Sequence, residues 1–199
     1  MGIEVASLGV QVHGGMGFIE ETGAAQHYRD ARILTIYEGT TAIQANDLVG
    51  RKLAKDKDEA GNTGVAAAAL TARIRATVDE LAGDAKLSDI AQQLAAALAQ
   101  FEKATQWLLA NYDSNPQGAL AGAVSYLFLT GIMTGGWLMA RAAQIAQQQL
   151  DNGSTDDFYK AKLATARYFA AHQLPKVAAY AAEVTEGSAS VLSLEESLF

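Results

Sequence analysis

The sequence predicts an all-α protein in which a helical hairpin segment precedes an up-down four-helix bundle. Proline occurs only twice in 199 residues, and few stretches alternate polar and apolar residues, so long helices are favoured over strands. Half of the residues are hydrophobic, which is typical of a globular chain with a buried core.

Three helices are predicted in the first 55 residues. The first ends near His13, where a cluster of glycines follows that is too flexible to continue a helix. The second covers 24–33. The third begins where Thr41 and Gln44 have the spacing of a capping box, and it continues to about Ala54.

Residues 56–64 are charged and then rich in glycine, which predicts a linker between residues 1–55 and residues 65–199. Beyond this linker, apolar side chains recur at helical spacing between turn signals. Ser88 is predicted to cap one of these helices, and Pro175 is predicted to kink or end another. One predicted apolar face consists of Ile90, Leu94, Leu98, Phe101 and Leu108. Four such helices with short loops predict the bundle.

The longest apolar stretch, 119–140, is nearly long enough to span a bilayer. Its serine, threonine and glycine residues lower its hydrophobicity, and no basic residue anchors one end. A transmembrane helix stays open as an alternative, but a helix that is apolar all round is usually buried in a bundle. We therefore expect no membrane span.

Composition argues against several classes of function. The net charge of -7 and the absence of a Lys/Arg cluster argue against a nucleic-acid surface. Because the chain has no cysteine, it has no disulfide, no thiol nucleophile and no Cys-ligated zinc, and a reducing cytoplasm is the expected compartment. His27 and His172 are isolated and are expected at the surface or an interface, so no metal site is predicted.

Two features of the first 55 residues suit chemistry, although each also has a simpler interpretation. Glycine-rich turns and helix N-termini expose backbone N–H groups that suit phosphates, but glycine pairs between helices are also ordinary C-caps. Glu38 precedes a helix, where the macrodipole alone favours a carboxylate. A general base also fits there, since Tyr37 could bury the carboxylate and Gly39 could admit a ligand.

Three motifs stand in this region in a specific order and spacing. They read QVHGGMGF at 11–18, YRDARI at 28–33 and IYEGTTAIQ at 36–44. Together they resemble the terminal signature of the acyl-CoA dehydrogenase family. The resemblance implies an FAD-dependent α,β-dehydrogenation of an acyl-CoA thioester, as in fatty-acid β-oxidation, with electron-transfer flavoprotein as the acceptor. Arg29 and Asp30, inside the second motif, are expected to form a structural ion pair.

The resemblance also implies a role for individual positions. Glu38 would be the base that removes the α-proton, and Gly39 would contact the substrate. The positions implied to bind FAD are Gln11, Val12, His13, Gly14, Gly15, Thr40, Thr41 and Ala42. Since the first five of these would meet FAD held by a neighbouring subunit, a homo-oligomer, dimer or tetramer, is implied. Many members carry a polar residue where this chain has Ala42, so only the backbone could serve there.

Residues 56–199 resemble, less specifically, the helical extension of the longer acyl-CoA dehydrogenases, a branch that includes methylthiopropanoyl-CoA-type enzymes. The N-terminal and middle domains of that family do not occur in this sequence, so the isolated chain is expected to be inactive. The alternative is a non-catalytic helical domain that serves assembly or interaction.

Overall fold

The computed structural model describes residues 2–198, and over this range it is all-α, as predicted. Two compact units can be distinguished, Met1–Gln44 and Ala45–Phe199. The division falls inside a helix, so the chain passes from one unit to the next without a loop.

The first unit contains three helices and the beginning of a fourth. They are α1 (Gly2–Val12), α2 (Gly15–Phe18), α3 (Ala24–Ile33) and α4 (Thr41–Val49), with a 3-10 turn at Glu20–Thr22. α1 packs against both α2 and α3. Gly17 permits this approach, because a Cβ atom there would lie 2.2 Å from the carbonyl oxygen of Val10.

The first unit has almost no buried core. Within residues 2–44, only Gly17 and Ala24 are buried. Several large apolar side chains are exposed instead, among them Val12 at 85% and Phe18 at 81% of their surface. Exposed apolar side chains that lie close together are typical of surfaces that bind a partner.

The second unit contains the end of α4, a π-helical turn at Gly50–Ala54 and the bundle. The bundle helices are α5 (Val65–Ala82), α6 (Ser88–Asn111), α7 (Pro116–Ala121), α8 (Ala123–Asp151), α9 (Asp157–His172), α10 (Lys176–Glu186) and α11 (Ser188–Leu192), followed by a 3-10 turn at Glu196–Leu198. α6 packs against α5, α8, α9 and α10. The predicted apolar face of α6, Ile90, Leu94, Leu98, Phe101 and Leu108, is buried at all five positions.

The residues between the two predicted domains form an ordered turn. Asp56 accepts a hydrogen bond from the backbone N–H of Ala66 through its carboxylate, 2.6 Å, and so stabilises the start of α5. Asp58 accepts from the backbone N–H of Asn62, 2.8 Å, and a bridge joins Lys57 to Thr63. The assignment of this segment as a linker stays a prediction.

Two local predictions for the bundle have different outcomes. α6 begins at Ser88 itself, and the hydroxyl of Ser88 donates to the carbonyl of Ala85, so the predicted capping role of Ser88 is wrong. The hydroxyl finds an acceptor in the preceding turn instead of the helix amides. Pro175 stands between the end of α9 and the start of α10, as predicted.

Among residues 2–198, α8 is the one helix whose length and apolar composition would suffice to cross a membrane. Only 33% of the most apolar 18-residue segment of α8 is buried. α8 packs against α5, α6, α9 and α10. Its opposite side exposes Phe128, Leu138 and Ile145. The prediction of a bundle helix buried all round therefore holds along one face only, because its neighbours leave the other side uncovered.

Candidate functional site

The loop between α3 and α4 carries the predicted catalytic carboxylate. It spans residues 34–40 and is closed at its base, where the backbone N–H of Thr41 donates to the carbonyl of Thr35, 3.3 Å. The hydroxyl of Thr35 donates to the carbonyl of Arg32, 3.0 Å, and the guanidinium of Arg32 contacts that hydroxyl in turn. The loop therefore has a fixed entry and a fixed exit.

Glu38 has a left-handed backbone, with φ of 56°, and no other non-glycine residue between 2 and 198 has a positive φ. This conformation costs an L-residue roughly 1–2 kcal/mol, because Cβ approaches the following carbonyl oxygen. The side-chain amide of Gln44 offsets that cost, since its Nε2 donates to the Glu38 carbonyl oxygen at 2.7 Å. Such strain persists only where surrounding contacts hold it, and it clusters at functional sites.

Gly39 is required for two reasons. Its φ is 93°, which strains any other residue. In addition, a Cβ atom at this position would lie 3.1 Å from the Nε2 of Gln44 and 3.2 Å from a methyl carbon of Ile43. The turn at Glu38 and Gly39 is thus packed closely under the first turn of α4.

The predicted capping box at the start of α4 is wrong. The backbone N–H of Thr41 donates to Thr35, while the side chain of Gln44 reaches back to Glu38. Sequence reasoning assigned Gln44 to the helix end because the spacing from Thr41 fits that motif. The bond to Glu38 spans six residues and follows from the tight turn, which no spacing rule predicts.

Glu38 is exposed, and Tyr37 exposes 50% of its surface. The predicted burial of the carboxylate by Tyr37 is therefore not present in this chain. The loop presents the carboxylate outward beside the N-terminus of α4, where backbone N–H groups are available to a ligand. Any surface that removes water from Glu38 must come from outside these residues.

The other predicted FAD-binding segment lies at the α1–α2 turn. Gln11 and Val12 end α1, His13 and Gly14 form the turn, Gly15 begins α2, and all five are exposed. The Nδ1 of His13 donates to the carbonyl of Gly9 at 2.8 Å, so this ring is held by its own helix. Within residues 2–198, no hydrogen bond links 11–15 to 38–42.

Both segments suit the polar groups of a flavin nucleotide. An ideal Cβ at Gly14 or Gly15 would meet nothing within 4 Å, so a ligand can approach the backbone there. At the other segment, Thr40, Thr41 and Ala42 span the N-terminus of α4, whose first-turn amides suit electron-rich oxygens. The residues present therefore fit FAD in chemical type.

Arg29 does not pair with Asp30, so that prediction is wrong. Its guanidinium donates two hydrogen bonds to Glu20, at 2.9 Å and 2.7 Å, while Asp30 accepts from Gln26. Adjacent residues on a helix point in different directions, whereas Glu20 lies opposite α3 in the preceding turn. These hydrogen bonds, followed by the charge of Arg29, hold the pKa of Glu20 below its usual value. The pair is structural and surface-exposed.

Comparison with known proteins identifies two regions of the chain separately. Residues 1–53 match the family described as Acyl-CoA dehydrogenase, C-terminal domain. Residues 70–195 match the family described as Acetyl-CoA dehydrogenase C-terminal like. The first match contains every predicted site residue, and the second contains most of the bundle.

Similar proteins extend over nearly the whole chain. A 3-methylmercaptopropionyl-CoA dehydrogenase of Ruegeria pomeroyi is 49% identical over 192 residues, which cover 96% of this chain and 32% of that protein. A broad-specificity linear acyl-CoA dehydrogenase of Mycobacterium tuberculosis is 34% identical over 199 residues, again 96% of this chain and 32% of the relative. A subunit of the caffeyl-CoA reductase-Etf complex of Acetobacterium woodii is 44% identical over 52 residues, 26% of this chain and 14% of its own length.

The chain thus spans about a third of the length of the first two relatives. One family match alone covers more than half of its residues. The match over residues 1–53 contains the motifs in residues 11–44. The chain belongs to the acyl-CoA dehydrogenase family.

Proposed function

We propose that this chain is the C-terminal part of an FAD-dependent acyl-CoA dehydrogenase and supplies its catalytic base, Glu38. The observation that carries the proposal is the left-handed turn at Glu38, held by Gln44 and packed over Gly39. Strained backbone at an exposed carboxylate is unusual unless the carboxylate has a task. Family membership of the segment that contains it supports the same assignment.

In the proposed reaction, the carboxylate of Glu38 removes a proton from the carbon next to the thioester carbonyl. Bound FAD would supply the hydride acceptor for the β-hydrogen. The acyl-CoA thereby loses one proton and one hydride and becomes the α,β-unsaturated thioester. Gly39, beside the base, would contact the substrate through its backbone, and the segments 11–15 and 40–42 would hold FAD.

Removal of a weakly acidic proton requires a base in a dry site. Glu38 is exposed in this chain, so other polypeptide must cover it in the assembled enzyme. The exposed apolar side chains of the first unit, including Val12, Phe18 and Leu34, support such a cover. We propose that the cover is formed by the rest of the enzyme and by a neighbouring subunit of a dimer or tetramer, in the cytoplasm.

Acyl-CoA as substrate follows from the family, and electron-transfer flavoprotein is the proposed acceptor of the electrons. The similarity to a subunit of a caffeyl-CoA reductase-Etf complex supports that acceptor. The isolated chain is expected to be colourless and inactive, because it supplies only part of the FAD contacts.

The test uses an assembled enzyme. It is defined as this chain joined to the remaining two thirds of the Ruegeria pomeroyi relative, the part of that protein that the match does not cover. Glu38→Gln keeps the shape of the side chain but cannot accept the α-proton. It should retain FAD and acyl-CoA binding and lose reduction of the flavin, followed by stopped-flow bleaching of flavin absorbance. Glu21→Gln, which changes an exposed glutamate of the same unit, is the matched control.

Two outcomes would count against the proposal. If Glu38→Gln bleaches the flavin within about tenfold of wild type, roughly 1.4 kcal/mol of barrier, Glu38 is not the base. If the variant also loses FAD, Glu38 has a structural role.

A loss of FAD would favour the second candidate function, a non-catalytic helical domain for assembly. One observation supports this alternative: the bundle has its own buried core, whereas the predicted site residues all lie outside it, in the first unit.

A further inference from the structure

We infer that Gln44 is a positioning residue for Glu38: its side-chain amide holds the turn that aims the carboxylate. The inference rests on the proposed function, because it concerns the base of that reaction. It goes beyond the role of the base itself, since Gln44 touches neither substrate nor flavin in this account.

The geometry that supports the inference is local and specific. The Nε2 of Gln44 donates to the carbonyl oxygen of Glu38 at 2.7 Å, which is a short, well-formed hydrogen bond. That carbonyl belongs to the residue with φ of 56°. Fixing a backbone carbonyl on the same residue limits rotation of its φ and ψ angles, and these angles set the direction of the carboxylate.

Gln44 is itself held in place. Its backbone N–H donates to the carbonyl of Thr40 at 3.0 Å, as part of the first turn of α4. Its side chain then reaches back across Gly39, where a Cβ atom would lie only 3.1 Å from Nε2. The helix is therefore a rigid support from which one amide fixes the preceding turn.

No other side chain in the described residues donates a hydrogen bond to the backbone of the Glu38–Gly39 turn. Thr35 and Thr41 close the base of the loop, two or three residues away from its tip. Loss of the Gln44 amide would leave the tip free to relax into a right-handed or extended conformation. The carboxylate would then point elsewhere for part of the time.

A misplaced base reduces the rate without weakening substrate binding. A displacement of about 1 Å costs up to about 100-fold in rate, because the reacting atoms leave their near-attack distance. We therefore expect removal of the amide to lower flavin reduction by about 10- to 100-fold. Affinity for acyl-CoA and for FAD should change far less.

Two variants separate positioning from space filling. Gln44→Met keeps the length of the side chain and removes the donor. Gln44→Glu keeps the shape almost unchanged and places an oxygen against the Glu38 carbonyl. If Gln44 only filled space, Gln44→Met would reduce flavin at the wild-type rate, whereas Gln44→Glu also adds a negative charge near the base.

The matched control is Gln26→Met. Gln26 lies on α3 of the same unit and donates a side-chain hydrogen bond of the same length, 2.7 Å, but to Asp30. The Gln26→Met variant should leave the rate of flavin reduction unchanged. A comparable fall in the control would mean that the loss reflects damage to the unit and not to the turn.

The measurements use the assembled enzyme and the 199-residue chain in parallel. In the enzyme, stopped-flow gives the rate of reduction per bound flavin, and titration with a non-oxidisable acyl-CoA analogue gives affinity. In the chain, the crystal structure of Gln44→Met gives the φ angle of Glu38, which should leave the left-handed region. That second readout needs neither flavin nor activity.

The results distinguish this inference from the proposed function. If Glu38→Gln abolishes reduction while Gln44→Met reduces flavin within about threefold of wild type, positioning by Gln44 is wrong and the base assignment stands. If Glu38→Gln remains active, the proposed function is wrong, and the φ angle of Glu38 in Gln44→Met still shows whether Gln44 holds the turn. An unchanged φ angle would overturn the inference in either case.

Discussion

The two units of the chain differ in where their apolar side chains lie. The first exposes Val5, Leu8, Val12, Phe18 and Leu34 and buries only a glycine and an alanine within residues 2–44. The second buries a continuous cluster from Ala45 to Val184, with Leu94, Phe101 and Leu129 at 1% exposure or less. The second unit is stabilised by burial, whereas the first has little burial and is held mainly by backbone hydrogen bonds.

This difference matches the location of the predicted site residues. Every predicted site residue lies in the first unit, and the bundle contains none of them. Regions that receive ligands and partners are often those of low intrinsic stability, because their apolar surface is completed on assembly. The buried residues of the bundle core all lie between Ala45 and Val184.

Separation of the two units should give the largest effect. A polypeptide of residues 45–199 is expected to unfold cooperatively, since its core is complete, whereas residues 1–44 alone should show no cooperative transition. Circular dichroism against temperature measures both. Cooperative melting of 1–44 alone would contradict the comparison.

The contribution of residues 45–64 to the bundle core can be measured with a shorter polypeptide. A bundle that begins at residue 65 lacks Val49 and Leu53, which are at most 2% exposed in the full chain. Two fully buried aliphatic side chains contribute about 3–6 kcal/mol together, so residues 65–199 should be less stable than 45–199 by this order. Equal stability of the two polypeptides in urea would mean that α4 is dispensable to the core.

Identical substitutions in the two units should have different consequences. Leu94→Ala in α6 removes a side chain with 0% exposure and leaves a cavity, so the free energy of unfolding should fall by about 2–5 kcal/mol. Leu8→Ala in α1 removes a side chain with 58% exposure. This substitution should change the free energy of unfolding by less than about 0.5 kcal/mol. Urea denaturation of the whole chain measures both. A Leu8→Ala cost near that of Leu94→Ala would show that the first unit has a core after all.

The bundle was predictable from sequence for the same reason that it is stable. The apolar residues of α6 recur every three or four positions, and this periodicity is also what places Leu94, Phe101 and Leu108 in one core. Helix ends depend on single side chains and are less predictable. Ser88 was predicted to cap α6, yet its hydroxyl donates to the carbonyl of Ala85 in the preceding turn.

The candidate site was predictable only through motif resemblance. Composition and spacing left both Glu38 and the glycine turns with ordinary structural explanations. The left-handed backbone of Glu38 and its bond to Gln44 arise from a turn in three dimensions, and they have no periodic signal. The sequence suggested that Tyr37 could bury Glu38, but no residue of its own unit does so, and Glu38 is exposed.

A smaller effect should separate a buried tyrosine of the bundle from an exposed one of the first unit. Tyr126 is 2% exposed, stacks on Phe101 at 6.0 Å and shares a hydrogen bond of 2.8 Å with the hydroxyl of Thr105. Tyr126→Phe leaves the Thr105 hydroxyl buried without that partner and should cost about 1–3 kcal/mol at neutral pH. Tyr28→Phe in α3, with 38% exposure, should be nearly neutral.

The pH dependence of stability provides the sharper measurement. Burial raises the pKa of Tyr126 to about 12, and the hydrogen bond from Thr105 acts in the opposite direction. The neutral phenol is thus favoured in the fold, whereas the unfolded chain loses this proton near the usual pKa of 10.0. The stabilisation is complete below about pH 10 and is lost as pH rises towards 12, by roughly 2–3 kcal/mol. The difference in urea stability between wild type and Tyr126→Phe should therefore shrink over this range. If the Tyr126→Phe difference does not change between pH 9 and 12, the phenol is not buried in solution and the core of the bundle is looser at α8 than its packing indicates.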